Sequence, residues 1–118
     1  MAYIDLFVIP VLQAREDDYR KSAELGRTVW MEHGALTYLE CRADDVPDGK
    51  LTSLPMAVKL EPGEIIYMGF ATYRDRAHRD AVKALVFADP RLEDMMKDSP
   101  AAMQRMIWGG FEGVVTSG

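Results

Sequence analysis

The chain has 118 residues, 48% hydrophobic and 28% charged, the size and balance of one folded domain, which is expected to span residues 1–118. Its formal net charge of −5 repels phosphate backbones and anionic lipid heads, and no basic run exceeds Arg20-Lys21, so no nucleic-acid partner is expected. The longest apolar run, Leu6 to Leu12, contains Pro10 and falls far short of the roughly 20 residues a membrane helix needs, so no membrane association is expected either.

Tyr3 to Pro10 is rich in aromatic and β-branched residues and reads as a first strand closed by its proline. Both of its faces are apolar, interrupted by Asp5. From Glu16 the period becomes helical, with Tyr19, Ala23, Gly26, Val29, Trp30 and His33 on one stripe, acidic residues in the first turn and Gly34 as the cap. Gly26 within this helix points to a close approach to the sheet. Leu36 to Cys41 is expected as the second strand. The connection from Val46 to Gly63, punctuated by Pro47, Gly49, Pro55 and Pro62, reads as a long loop with at most a short strand at Met56 to Lys59.

Glu64 to Tyr73 alternates as a third strand, and Asp75 is placed to cap a second helix with a small-residue stripe of Ala77, Ala81, Ala84, Leu85 and Ala88. Arg91 to Met103 is expected to form short helical turns broken at Pro100, and Arg105 to Val115 a fourth strand in which Gly109 and Gly110 permit a bulge or close approach. The order β-α-β-β-α-β is the split βαβ arrangement: an α+β, ferredoxin-like domain with a four-stranded antiparallel sheet and both helices on one face. The opposite apolar face then has nothing in the chain large enough to cover it, which points to a homodimer packed sheet against sheet.

Some residues break the apolar pattern. Asp5 is a charge inside an apolar strand, open to pairing with a basic residue on a neighbouring strand or to a binding role. Glu40 has two readings, a cavity carboxylate with a raised pKa or a salt bridge with Arg42 or Arg105. Its neighbour Cys41 points the other way on the strand and reads as a small buried hydrophobe, without a second cysteine to bridge. His33 ends the first helix as a cap or a pocket residue, and His78 reads as solvated. The methionines Met95, Met96, Met103 and Met106 suit an irregular core or a dimer interface. No spacing of His, Cys and carboxylates suggests a metal, and no glycine-rich phosphate loop or nucleophile elbow is present, so no cofactor is expected. With one cysteine and no basic, then apolar leader, the cytoplasm is the expected location.

Several stretches, taken in order, resemble one family. They are Tyr3-Ile-Asp-Leu-Phe-Val-Ile-Pro, His33-Gly34-Ala35, Glu40-Cys41 with Asp44 to Lys50, Pro55 to Lys59, Ala88-Asp89-Pro90-Arg91, and Arg105 to Glu112. They are similar to the uncharacterised bacterial YbaA-like family, domain-of-unknown-function family 1428, over essentially the whole chain. The resemblance implies the dimeric α+β barrel group, with no established activity. One departure is Arg42-Ala43, where many relatives would have a bulky aromatic and a glycine.

Three functions stay open. The leading expectation is a dimer binding a small molecule between sheet and helices, near Asp5, His33, Glu40, Tyr67 and Trp108. The others are a cofactor-free enzyme of the monooxygenase or isomerase kind hosted by this barrel group, and an interaction protein with no ligand.

Overall fold

A computed structural model describes residues 2–117 of the chain. Strand β1 (Tyr3–Leu12) is followed by a 3-10 turn (Gln13–Arg15), helix α1 (Glu16–Glu32), β2 (Thr37–Arg42), the short helix α2 (Leu54–Ala57), β3 (Glu64–Tyr73), α3 (Arg76–Phe87), α4 (Arg91–Met96), a second 3-10 turn (Met103–Arg105) and β4 (Ile107–Glu112). The strands form one antiparallel sheet in the order β2-β3-β1-β4, with β1 and β3 paired from Tyr3↔Tyr73 to Leu12↔Glu64. This is the ferredoxin-like α+β arrangement.

Pro10 does not end β1. Its carbonyl accepts the Ala102 N–H, and two residues on the Leu12 N–H donates to Pro100, so the proline's missing donor falls on the side where β4 has already stopped. The segment around Ala101 takes over that edge through a bridge to Val11.

Alternation along the strands sorts the sheet into two faces. Tyr3, Asp5, Phe7, Ile9 and Val11 of β1 share the helix face with Tyr67, Ala71 and Tyr73 of β3, and there Val29 of α1 and Val82 and Val86 of α3 close one part of the core. The buried residues of α3 are these valines, not the alanine stripe: Ala77, Ala81, Ala84, Leu85 and Ala88 are exposed. The helix is rotated so that β-branched side chains meet the sheet, and the stems of Arg79 and Lys83 lie along it. Asp75 caps α3, its carboxylate accepting the His78 N–H at 2.8 Å. His78 is not free in solvent, because its ring nitrogens meet the Gly34 carbonyl at 2.9 Å and the Arg74 N–H at 3.0 Å.

The other face of the sheet is covered at one end only. The 43–60 stretch folds back so that Val58, Val46 and Leu60 shield Val8 and Ile66. Within it Met56 to Lys59 is no strand. Ser53 accepts the Met56 N–H, Pro55 sits in the first turn, and the result is the single helical turn α2. Arg105, at a 3-10 turn before β4 and not within it, clamps this cover, reaching the Lys59 carbonyl at 3.0 Å and both oxygens of the half-buried Glu64. Beyond the cover Leu39, Ile107 and Phe111 stand 48%, 39% and 56% exposed. Cys41 lies on this face, partly exposed and unbridged.

Gly69 of β3 lies opposite Phe7 and Glu40, and a Cβ there would come within 2.7 Å of the phenyl ring and 2.9 Å of Cγ of Glu40. Gly69→Ala is therefore expected to lower stability by about 1–3 kcal/mol in urea unfolding. An unchanged midpoint would show that neither side chain depends on the space.

Candidate functional site

Helix α1 is held above the sheet by two tyrosine–glutamate hydrogen bonds that run in opposite directions. Tyr19 of the helix donates to Glu40 of β2 at 2.5 Å, and Tyr67 of β3 donates to Glu16 of the helix at 2.7 Å. The two rings pack tilted with centroids 4.7 Å apart. Tyr38, two residues before Glu40 and so on the same face, donates to the other carboxylate oxygen at 2.7 Å. Burial, and then the charge of Glu40, push the hydroxyls of Tyr19 and Tyr38 well above the ordinary tyrosine range, so both remain protonated donors.

Between this prop and α3 and α4 lies a cavity of about 440 Å³, overwhelmingly apolar. Phe7 and Ile9 floor it, Ala23, Gly26 and Trp30 of α1 roof it, and Trp108 stands at one side. Gly26 lets the roof come close, since a Cβ would meet the Tyr38 hydroxyl at 3.1 Å and the Met95 sulfur at 3.5 Å. Met95, Met96, Met103 and Met106, expected in a core or dimer interface, line this cavity.

Its polar groups form two clusters. One is Glu40 with its tyrosines. In the other, Asp5 pairs with Arg79 at 3.1 Å and has Lys83 Nζ at 3.9 Å, both from α3 and not from a neighbouring strand. Lys83 Nζ lies 4.2 Å from the centre of the Trp108 ring. Burial lowers the Lys83 pKa, with Asp5 opposing the shift.

Of the five residues singled out in the sequence, Asp5, Glu40 and Trp108 line the cavity. Tyr67 faces a second, shallower hollow of about 360 Å³ edged by Arg20, Arg27 and Arg42, which shares Glu40 and Tyr38 with the first. His33 lines neither. It caps α1, and its ring turns to Asp89, with Nε2 2.8 Å from Oδ2. Glu40 makes no salt bridge with Arg42 or Arg105, because those cations are engaged by Glu16 and Glu64. Sequence reasoning missed Tyr19, Tyr38 and Lys83 as cavity residues. The signal for Lys83 was Asp5 itself, which needs a cation, together with Arg79 and Lys83 one turn apart.

Among the described residues no group of three or more His, Cys, Asp or Glu is placed to hold a metal ion, and no helix is long and apolar enough to cross a membrane.

Fold and cavity together define a ferredoxin-like α+β domain with an apolar chamber between sheet and helices. A family model described as a protein of unknown function (DUF1428) matches residues 2–103, and the chain belongs to that family. The uncharacterised protein YbaA of Escherichia coli K12 is 39% identical over 115 residues, covering 98% of both chains. Among solved structures, the cofactor-independent oxygenase SnoaB of Streptomyces nogalater superposes with a TM-score of 0.57 at 15% identity, over 98% of this chain and 96% of that one. A dimeric ferredoxin-like protein from an uncultured marine organism gives 0.55 at 13% identity, over 98% and 99%. At these identities the likeness concerns the fold alone.

The Asp89 carboxyl is held below the ordinary carboxylate range, chiefly by hydrogen bonds from Arg91 and then from His33. A group lowered on folding contributes stability that is complete above its unfolded-state pKa, about 3.9, and is lost as pH falls below it. Asp89→Asn removes this contribution while leaving those of Glu16 and Glu64, which are lowered in the same direction. The wild-type urea midpoint is thus expected to fall more steeply than that of the variant between about pH 5 and pH 2.5. Parallel profiles would show that the His33–Asp89–Arg91 cluster does not couple to folding.

Proposed function

We propose that the chain works as a homodimer in which each subunit binds one small, largely apolar molecule in the chamber between sheet and helices. The observation that carries the reading is the chamber itself. Its volume of about 440 Å³ suits a ligand of modest size, and its apolar walls hold only a few polar groups, as binding sites for such ligands do. Those groups are already oriented, since both oxygens of Glu40 are occupied by tyrosine hydroxyls.

The test is a thermal-shift and calorimetric screen of small aromatic and aliphatic compounds against wild type and Ala23→Trp, which would fill the chamber from its roof. A compound at 100 times its dissociation constant is expected to stabilise wild type by about 2.7 kcal/mol and to leave the variant unmoved. Equal responses from both proteins would sink the reading. The same chamber would serve cofactor-free chemistry, a second reading supported by the fold it shares with SnoaB. Turnover of a compound found in the screen separates the two.

The dimer is supported by the uncovered face, where Leu39, Ile107 and Phe111 are exposed beside Leu6 and Phe70, and by the dimeric state of one structural neighbour. Sedimentation velocity at micromolar concentration is expected to give a dimer for wild type and a folded monomer for Leu39→Arg/Phe111→Arg. A wild-type monomer would remove this part of the reading.

A further inference from the structure

The polar groups around the chamber differ in what they have left to offer. Arg79 is engaged: its guanidinium reaches Asp5 at 3.1 Å, Asp80 at 2.9 Å and the Tyr3 hydroxyl at 3.2 Å. Glu40 is engaged as well, with one tyrosine on each oxygen. Lys83 is not. Its side chain is only 19% exposed, its ammonium carries three donors, and among the described residues it makes no hydrogen bond. The nearest carboxylate oxygen, Oδ2 of Asp5, is 3.9 Å away, too far for a hydrogen bond, and is itself buried without a partner. The ammonium rests instead over the Trp108 ring at 4.2 Å and near that of Phe87 at 5.6 Å.

A cation so placed is partly desolvated, with ring faces and one distant counterion beside it, while its donors stay uncommitted at the chamber wall. An incoming oxyanion would restore the lost hydrogen bonds with charge assistance. Arg79 pairs with Oδ1 of Asp5 and offsets part of its charge, and Oδ2 lies on one side of the ammonium, so an oxyanion would approach Lys83 from the Trp108 side. The charge of Glu40 disfavours an anion on its own side and so orients one toward Lys83. The rest of the wall, with Phe7, Trp30, Phe87 and Trp108, suits a flat apolar body.

We infer that Lys83 is the specificity-determining residue of the chamber, and that the ligand class is a planar, apolar molecule carrying one anionic oxygen group that binds the Lys83 ammonium beside Trp108. This rests on the binding role proposed above and narrows it. Lysine is assigned no bond-making step.

The test uses two probes that differ in charge and hardly in shape, 2-naphthoate and 2-naphthamide, titrated calorimetrically into wild type, Lys83→Met and Lys83→Arg. Wild type is expected to bind the carboxylate about tenfold or more tighter than the amide. Lys83→Met should erase that preference by weakening naphthoate while leaving naphthamide within about twofold, and the retained amide affinity reports an intact chamber. Lys83→Arg keeps a cation and is expected to keep most of the preference. Equal wild-type affinities, or a parallel loss of both probes in Lys83→Met, would overturn the inference and leave the binding role standing. If neither probe binds wild type, the binding role fails and this inference with it.

Discussion

Everything distinctive about this molecule follows from the way α1 is spaced from the sheet. A helix lying on small residues would close down onto the strands. Here Tyr19 and Tyr67 stand between the layers, each with its hydroxyl fastened to a glutamate of the opposite layer. The rings supply apolar area, the hydroxyls satisfy carboxylates that stand partly withdrawn from water, and the layer separation is fixed by the length of the side chains. The chamber is the space this spacing leaves where no further large side chain reaches in; Gly26 lets α1 come close to Tyr38 and Met95 at its roof, and Gly69 leaves room within the sheet for the Phe7 and Glu40 side chains. Tyr38 adds a second bond to Glu40, so the carboxylate at the heart of the prop belongs at once to the fold and to the chamber wall.

The fold was legible because its signals are local and agree with one another. The third strand runs from Glu64 to Tyr73 as its alternation implies, α1 begins at the acidic triplet and ends before Gly34, and Asp75 caps α3. Failures came where two patterns competed. In α3 the alanines and the valines both recur at helical spacing, and the sequence favours the more numerous. Burial chose Val82 and Val86, because each valine removes more apolar surface from water than an alanine does. That choice of phase also decided the site: turning the valines inward brings Arg79 and Lys83 alongside Asp5.

The site was legible only in part, for a related reason. Asp5 and Glu40 are charges within otherwise apolar strands, and anomalies of that kind can be seen without knowing the neighbours. Tyr19 and Tyr38 read as ordinary apolar members of a stripe and a strand, and nothing local says that their hydroxyls converge on one carboxylate. His33 is chemically suggestive but sits past the last turn of α1, where its ring swings out to Asp89 at the junction of α3 and α4. The chain belongs to an uncharacterised family and its structural neighbours show the fold alone, so the chemistry has to be read from these side chains.

Arg105 joins the border of the chamber to the opposite face of the sheet. It lies in the short turn between Met103 and Met106, which border the chamber, and its guanidinium grips the Lys59 carbonyl and Glu64, where the flap on the far side of the sheet is anchored. The turn that carries two of the chamber's methionines is thereby tied, through one guanidinium, to the cover on the opposite face of the sheet.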